Sequence, residues 1–102
     1  MKVNIDQDIK TFNGIKISGN LYPEGMKLKD VCIEALLSQD PNEKTPAAKK
    51  IERYELSKKI WKAENSIDLT IEEIGQIKQL TGNVFAPLIV GRAYEMLENK
   101  KE

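Results

Sequence analysis

At 102 residues, with 40% hydrophobic and 31% charged side chains, the chain carries apolar material for one folded domain and is too apolar for a disordered tail. Sixteen basic groups balance sixteen acidic ones, which argues against a broad phosphate-binding surface. With one cysteine and no histidine, an intramolecular disulfide, a thiolate zinc site and any His-based mechanism are excluded.

Charge is also even along the chain. Residues 1–40 hold five basic and six acidic groups (net −1), residues 41–70 seven and five (net +2), and residues 71–102 four and five (net −1). Cys32 reads as a small buried hydrophobe of a reducing compartment. The start has no signal-peptide pattern, and no apolar run approaches the ~20 residues of a spanning helix. The expected location is therefore cytoplasmic, without membrane contact.

The first 18 residues form the only β-like region. Val3 and Ile5 alternate with polar neighbours, and Asn13-Gly14 has the chemistry of a two-residue type I′ hairpin turn. That register sets Phe12 opposite Ile15 and Lys10 opposite Ile17, with Ile9 and Ser18 on the other face. The apolar face of so small a hairpin must lie on helices. "GNLYPEG" (19–25) is loop. A helical region follows over 26–98.

In "MKLKDVCIEALLSQD", Leu28, Val31, Cys32, Ala35 and Leu36 recur at three- and four-residue steps and predict one buried face. No N-cap is evident, and Pro41 sets the end near Gln39. The second helix has Thr45 as candidate N-cap and Pro46 at the first helical position. Its predicted core stripe is Ala47, Ile51, Tyr54 and Trp61, with Tyr54 and Trp61 as core anchors. Leu56 and Ile60, beside Lys49 and Arg53, make a second apolar strip on the other side.

"SIDLTIEEIGQIKQLTGNVFAPLIVGRAYEML" (66–97) predicts an αα-hairpin. Thr70 and Glu73 have capping-box spacing, and Leu69 and Ile74 have that of a hydrophobic staple. Ile71, Ile74, Ile77 and Leu80 form the expected buried face, and Gly82 suits a left-handed stop. The last helix starts at Pro87 and runs to about Glu98, with Ile89, Val90, Ala93, Met96 and Leu97 on one face. Gly91 lies inside it at a cost of about 1 kcal/mol relative to alanine, which suggests a close approach by a helix or ligand. Residues 99–102 read as a frayed tail. The expected fold is α+β and mostly helical: one domain, with an N-terminal β-hairpin packed on a four-helix bundle.

Little in this pattern offers chemistry. Asp6 and Asp8 could share a strand face and bind a cation or small ligand or serve in acid–base chemistry, but such a pair at an exposed hairpin entry is far more often solvated charge. Glu72-Glu73 is accounted for by the cap and the helix dipole. "DPNEK" lacks the ligand series and glycine of a calcium loop. "NGIKISG" has neither phosphate-loop spacing. The expectation is no enzyme, no cofactor and no metal.

A DNA-reading helix-turn-helix is also disfavoured. Aligning Gly82 with its turn would put Lys78 where a small residue is wanted, and the reading helix would hold Arg92 as its one cation before Lys100. The hairpin at 70–98 remains the alternative site for a small regulatory nucleic-acid-binding protein. The second helix has three readings: neighbours on both sides, a homodimer burying Leu56 and Ile60, or a partner with acidic groups docked on Leu56 and Ile60 with Lys49 and Arg53.

The succession of "DIKTFNGIKI", "LKDVCIEALL", "KKIERYELSKKIWKAE" and "IDLTIEEIGQIKQLTGNVFAPLIVGRAYEML" resembles small uncharacterised proteins encoded by tailed phages and prophages. The likeness spans about Ile5 to Leu97 and includes no catalytic motif. It implies a non-catalytic accessory protein in the host cytoplasm, acting by protein–protein contact in virion assembly or on a host factor. It supplies no site residues.

Overall fold

The computed structural model describes residues 1–18, 22–38 and 44–98. In chain order these form β1 (Lys2–Asn4), α1 (Leu28–Leu37), α2 (Ala47–Lys62), β2 (Ser66–Asp68), α3 (Ile71–Val84) and α4 (Pro87–Leu97). The α+β, mostly helical class expected from the sequence is the one found. At the centre lies α1, which packs most extensively on α2, then on α3 and α4, whereas α2 and α3 hardly touch. Its predicted face, Leu28, Val31, Cys32, Ala35 and Leu36, is buried throughout.

The missing cap of α1 is supplied from outside. The N–H groups of Leu28 and Lys29 donate to the carbonyls of Gln7 and Ile5, at 2.8 and 3.0 Å. The carboxylate of Asp30 accepts the N–H of Lys27 at 3.0 Å. These bonds satisfy donors that any helix start leaves open, and they seat the N-terminal segment on the bundle. The helix ends at Leu37, where the Ser38 hydroxyl donates to Ala35 O at 2.7 Å. The expected end near Gln39, residues 40–43 of "DPNEK" and the 99–102 tail lie outside the described residues.

The N-terminal segment does fold back at Asn13-Gly14, in a different register from that expected. Gly14 takes φ +81° and closes a three-residue loop, with Thr11 N–H donating to Ile15 O at 2.9 Å and Lys10 opposite Lys16. Phe12 and Ile15 are therefore exposed, while Ile9 is fully buried. The regular sheet joins distant segments: β1 pairs antiparallel with β2, Val3 opposite Ile67, and the Met1 amino group donates to Leu69 O at 2.7 Å. Val3, Ile5, Ile67 and Leu69 enter the core.

In α2 the expected faces are exchanged. Leu56 and Ile60 are 6% and 0% exposed and belong to the core, whereas Ile51, Tyr54 and Trp61 are 61%, 54% and 67% exposed. Tyr54 and Trp61 are thus not core anchors. The helix presses its aliphatic strip and the small Ser57 against α1, and Ser57 satisfies its hydroxyl on Tyr54 O at 2.7 Å. It starts one residue later than expected: Pro46 is the N-cap, extended at ψ 149°, and Thr45 makes no cap. Lys29 ties the far end, donating to Ala63 O at 2.8 Å.

The capping box is formed as the spacing predicts. Thr70 N–H donates to Glu73 Oε1 at 2.8 Å, and Glu73 N–H to Thr70 Oγ1 at 3.1 Å. Ile74, Ile77 and Leu80 are buried, but Ile71 is exposed. Gly82 is not a stop, since α3 continues to Val84 and ends before the extended Ala86 that precedes Pro87. Gly82 serves packing instead: a Cβ there would lie 3.3 Å from the Tyr94 hydroxyl, which donates to Lys78 O at 2.8 Å. No helix packs closely on Gly91: among the described residues no atom of another element lies within 4 Å of the position of its Cβ.

Candidate interaction surface

On an ideal wheel the buried residues Leu56, Ser57 and Ile60 define one side of α2, and Ile51, Tyr54, Lys58 and Trp61 cluster on the opposite side. All four are exposed, so they make an apolar and aromatic stripe in water, with Lys58 lying over the Tyr54 ring at 5.7 Å from its centroid. Tyr and Trp bury a large area at small entropic cost, and patches of this kind mark binding surfaces.

The stripe adjoins a groove. Because α2 and α3 both lean on α1 and hardly touch each other, they leave an open channel of about 850 Å³ between them. Its floor includes Leu56 and Leu80; Gln76, Gln79 and Asn83 line the α3 wall, and Ile51 connects groove to stripe. Of the residues expected to dock a partner, Lys49, Arg53 and Leu56 do come together along this groove, and Ile60 does not. Lys49 pairs with Glu52 at 3.6 Å. The burial of Leu56 and Ile60 corrects the expectation that they form an outward docking strip. The outward residues are instead Ile51, Tyr54 and Trp61, whose helical spacing alone suits a core stripe.

The remaining candidates are engaged elsewhere. Asp6 pairs with Lys27 at 2.5 Å and Asp8 with Lys16 at 3.6 Å, which gives both carboxylates a local partner. The bond to Asp6 raises the pKa of Lys27. Burial pushes the Cys32 thiol up to about 12, far from a reactive thiolate. Arg92, the one cation of α4, donates to the carbonyls of Lys10 and Thr11 at 3.1 and 3.2 Å and stacks 5.5 Å from the Phe12 ring centroid. It pins the N-terminal turn to α4, where a base-reading helix would need it for nucleic acid. Among the described residues, no three acidic, cysteine or histidine side chains converge as metal ligands. No helix of the described residues is long and apolar enough to cross a membrane. Comparison with protein-family models, curated proteins and solved structures finds no match to the chain.

Proposed function

We propose that this chain is a non-catalytic accessory protein that works by docking another protein on the outer face of α2. The observation that carries the reading is the exposure of Ile51, Tyr54 and Trp61 in one stripe, away from a core that is complete without them. The resemblance to small phage- and prophage-encoded proteins supports the same class, with a role in virion assembly or on a host factor. The engaged states of Asp6, Asp8, Cys32 and Arg92 favour binding over catalysis or base reading.

Chemical cross-linking in the producing cell, followed by peptide mass spectrometry, tests this directly. Intermolecular cross-links should concentrate on Lys50, Lys58 and Lys62, which border or interrupt the stripe. They should vanish in an Ile51→Asp, Trp61→Asp variant whose circular dichroism and melting are unchanged. Cross-links spread over the other faces, or unaffected by the variant, would remove α2 as the docking face.

A further inference from the structure

The outer face of α2 has a spacing and a charge that select its occupant. Ala47, Ile51, Tyr54, Lys58 and Trp61 follow steps of four, three, four and three residues, which is the a/d seam of a heptad repeat, and all are exposed. Lys50 and Lys62 border the seam, Glu55 is the bordering acid, and Lys58 stands in the seam itself. The seam and its borders thus carry three lysines and one glutamate, net +2, within a helix of six Lys or Arg and two Glu.

We infer that this face takes one amphipathic helix of a different protein, apolar along its seam, acidic along its flanks and bearing a carboxylate opposite Lys58. The inference rests on the reading of α2 as a docking face. An apolar side chain laid over Lys58 would strip water from an ammonium without replacing its counter-charge, whereas a carboxylate there forms a charge-assisted bond. A second copy of the chain fits poorly. Parallel pairing sets Lys58 against Lys58, and antiparallel pairing brings Glu55 beside Glu55; either way two faces of net +2 are brought together. A bilayer would accept Ile51, Tyr54 and Trp61 but would press Lys58, at the centre of the face, toward hydrocarbon.

Trp61 is the sole tryptophan, so its emission reports occupancy of the face. The test titrates the full chain with two synthetic three-heptad helical peptides. Both have leucine seams; one carries glutamates on the flanks and at a central seam position, the other lysines at the same places. The acidic peptide should shift Trp61 emission to shorter wavelength and saturate, more weakly at high salt. Lys58→Glu should weaken that binding at least about fivefold and should gain binding of the basic peptide. Equal binding of both peptides by the native chain, or indifference to Lys58→Glu, would overturn the charge rule while leaving the docking face in place. A shift that follows protein concentration without peptide would point to a second copy. A shift with phosphatidylglycerol vesicles but not with the acidic peptide would point to a membrane. Either overturns the inference, as does a Trp61 emission that neither peptide moves. The docking reading stands or falls separately, on the cross-linking pattern.

Discussion

Cys32 in the core and Tyr22 packed against it hold protons that water would let go. Burial raises the pKa of the Cys32 thiol from 9.0 to about 12. The Tyr22 hydroxyl rises from 10.0 to about 12, first through burial and then through its 2.9 Å bond to Glu34. Both groups are essentially neutral in folded and unfolded chains below about pH 8, so stability does not depend on them there. Above pH 9 the unfolded chain releases protons that the folded chain keeps, and stability falls toward pH 12. For Cys32 the loss is up to about 1.4 kcal/mol per pH unit, and the less buried Tyr22 adds less. Urea titrations at pH 8, 10 and 11 should show this decline, and Tyr22→Phe should make it shallower between the last two. A midpoint unchanged across that range would show that neither group keeps its proton. The capping pair Thr70 and Glu73 was legible in the sequence because both partners lie within one turn. The start of α1 was not, because its donors are met by Ile5 and Gln7, some twenty residues earlier in the chain.

Element by element, α2 is the most instructive. Its two apolar strips have comparable weight, and counting apolar letters favours the one with the aromatics. A finer signal was available: Lys58 lies only ~20° from the centre of that strip on an ideal wheel, where a core stripe has no place for a lysine. The aliphatic strip of Leu56 and Ile60 flanks Ser57, whose small side chain lets α2 press onto α1. The consequence is measurable as a reversal. Ile60→Ala should cost about 2–4 kcal/mol, the range for emptying a fully buried aliphatic site, whereas Trp61→Ala should stay within about 0.5 kcal/mol. Denaturant midpoints followed by far-ultraviolet circular dichroism decide it, and a costly Trp61→Ala with a harmless Ile60→Ala would restore the original assignment. Gly82 teaches the same lesson in α3. Glycine suggests a stop when read locally, and only the arrival of Tyr94 from α4 shows it to be a packing residue.

For the molecule as a whole, the N-terminal segment is held by contacts too distant in sequence for periodicity to reveal. Arg92 reaches back across 82 residues to Lys10 O and across 81 to Thr11 O. Its planar fork serves two carbonyls from two nitrogens while lying over the Phe12 ring, a fixed geometry that the compact, more strongly hydrated ammonium of lysine does not reproduce. Arg92→Lys should therefore speed amide exchange at Gly14 and Ile15 by about tenfold, equivalent to ~1.4 kcal/mol of local opening, with α1 and α3 unaffected. Uniform loss of protection across the helices would instead make Arg92 a global keystone. The pairing of β1 with β2 has a consequence of another kind. Three residues of each strand fasten together two parts of the chain that lie on either side of α1 and α2. The same register is open to β1 of a neighbouring molecule, so refolding at high concentration provides a route to strand-exchanged dimers. In such a dimer every core contact is kept and Trp61 remains in water, which makes it distinguishable by fluorescence from any complex formed on α2.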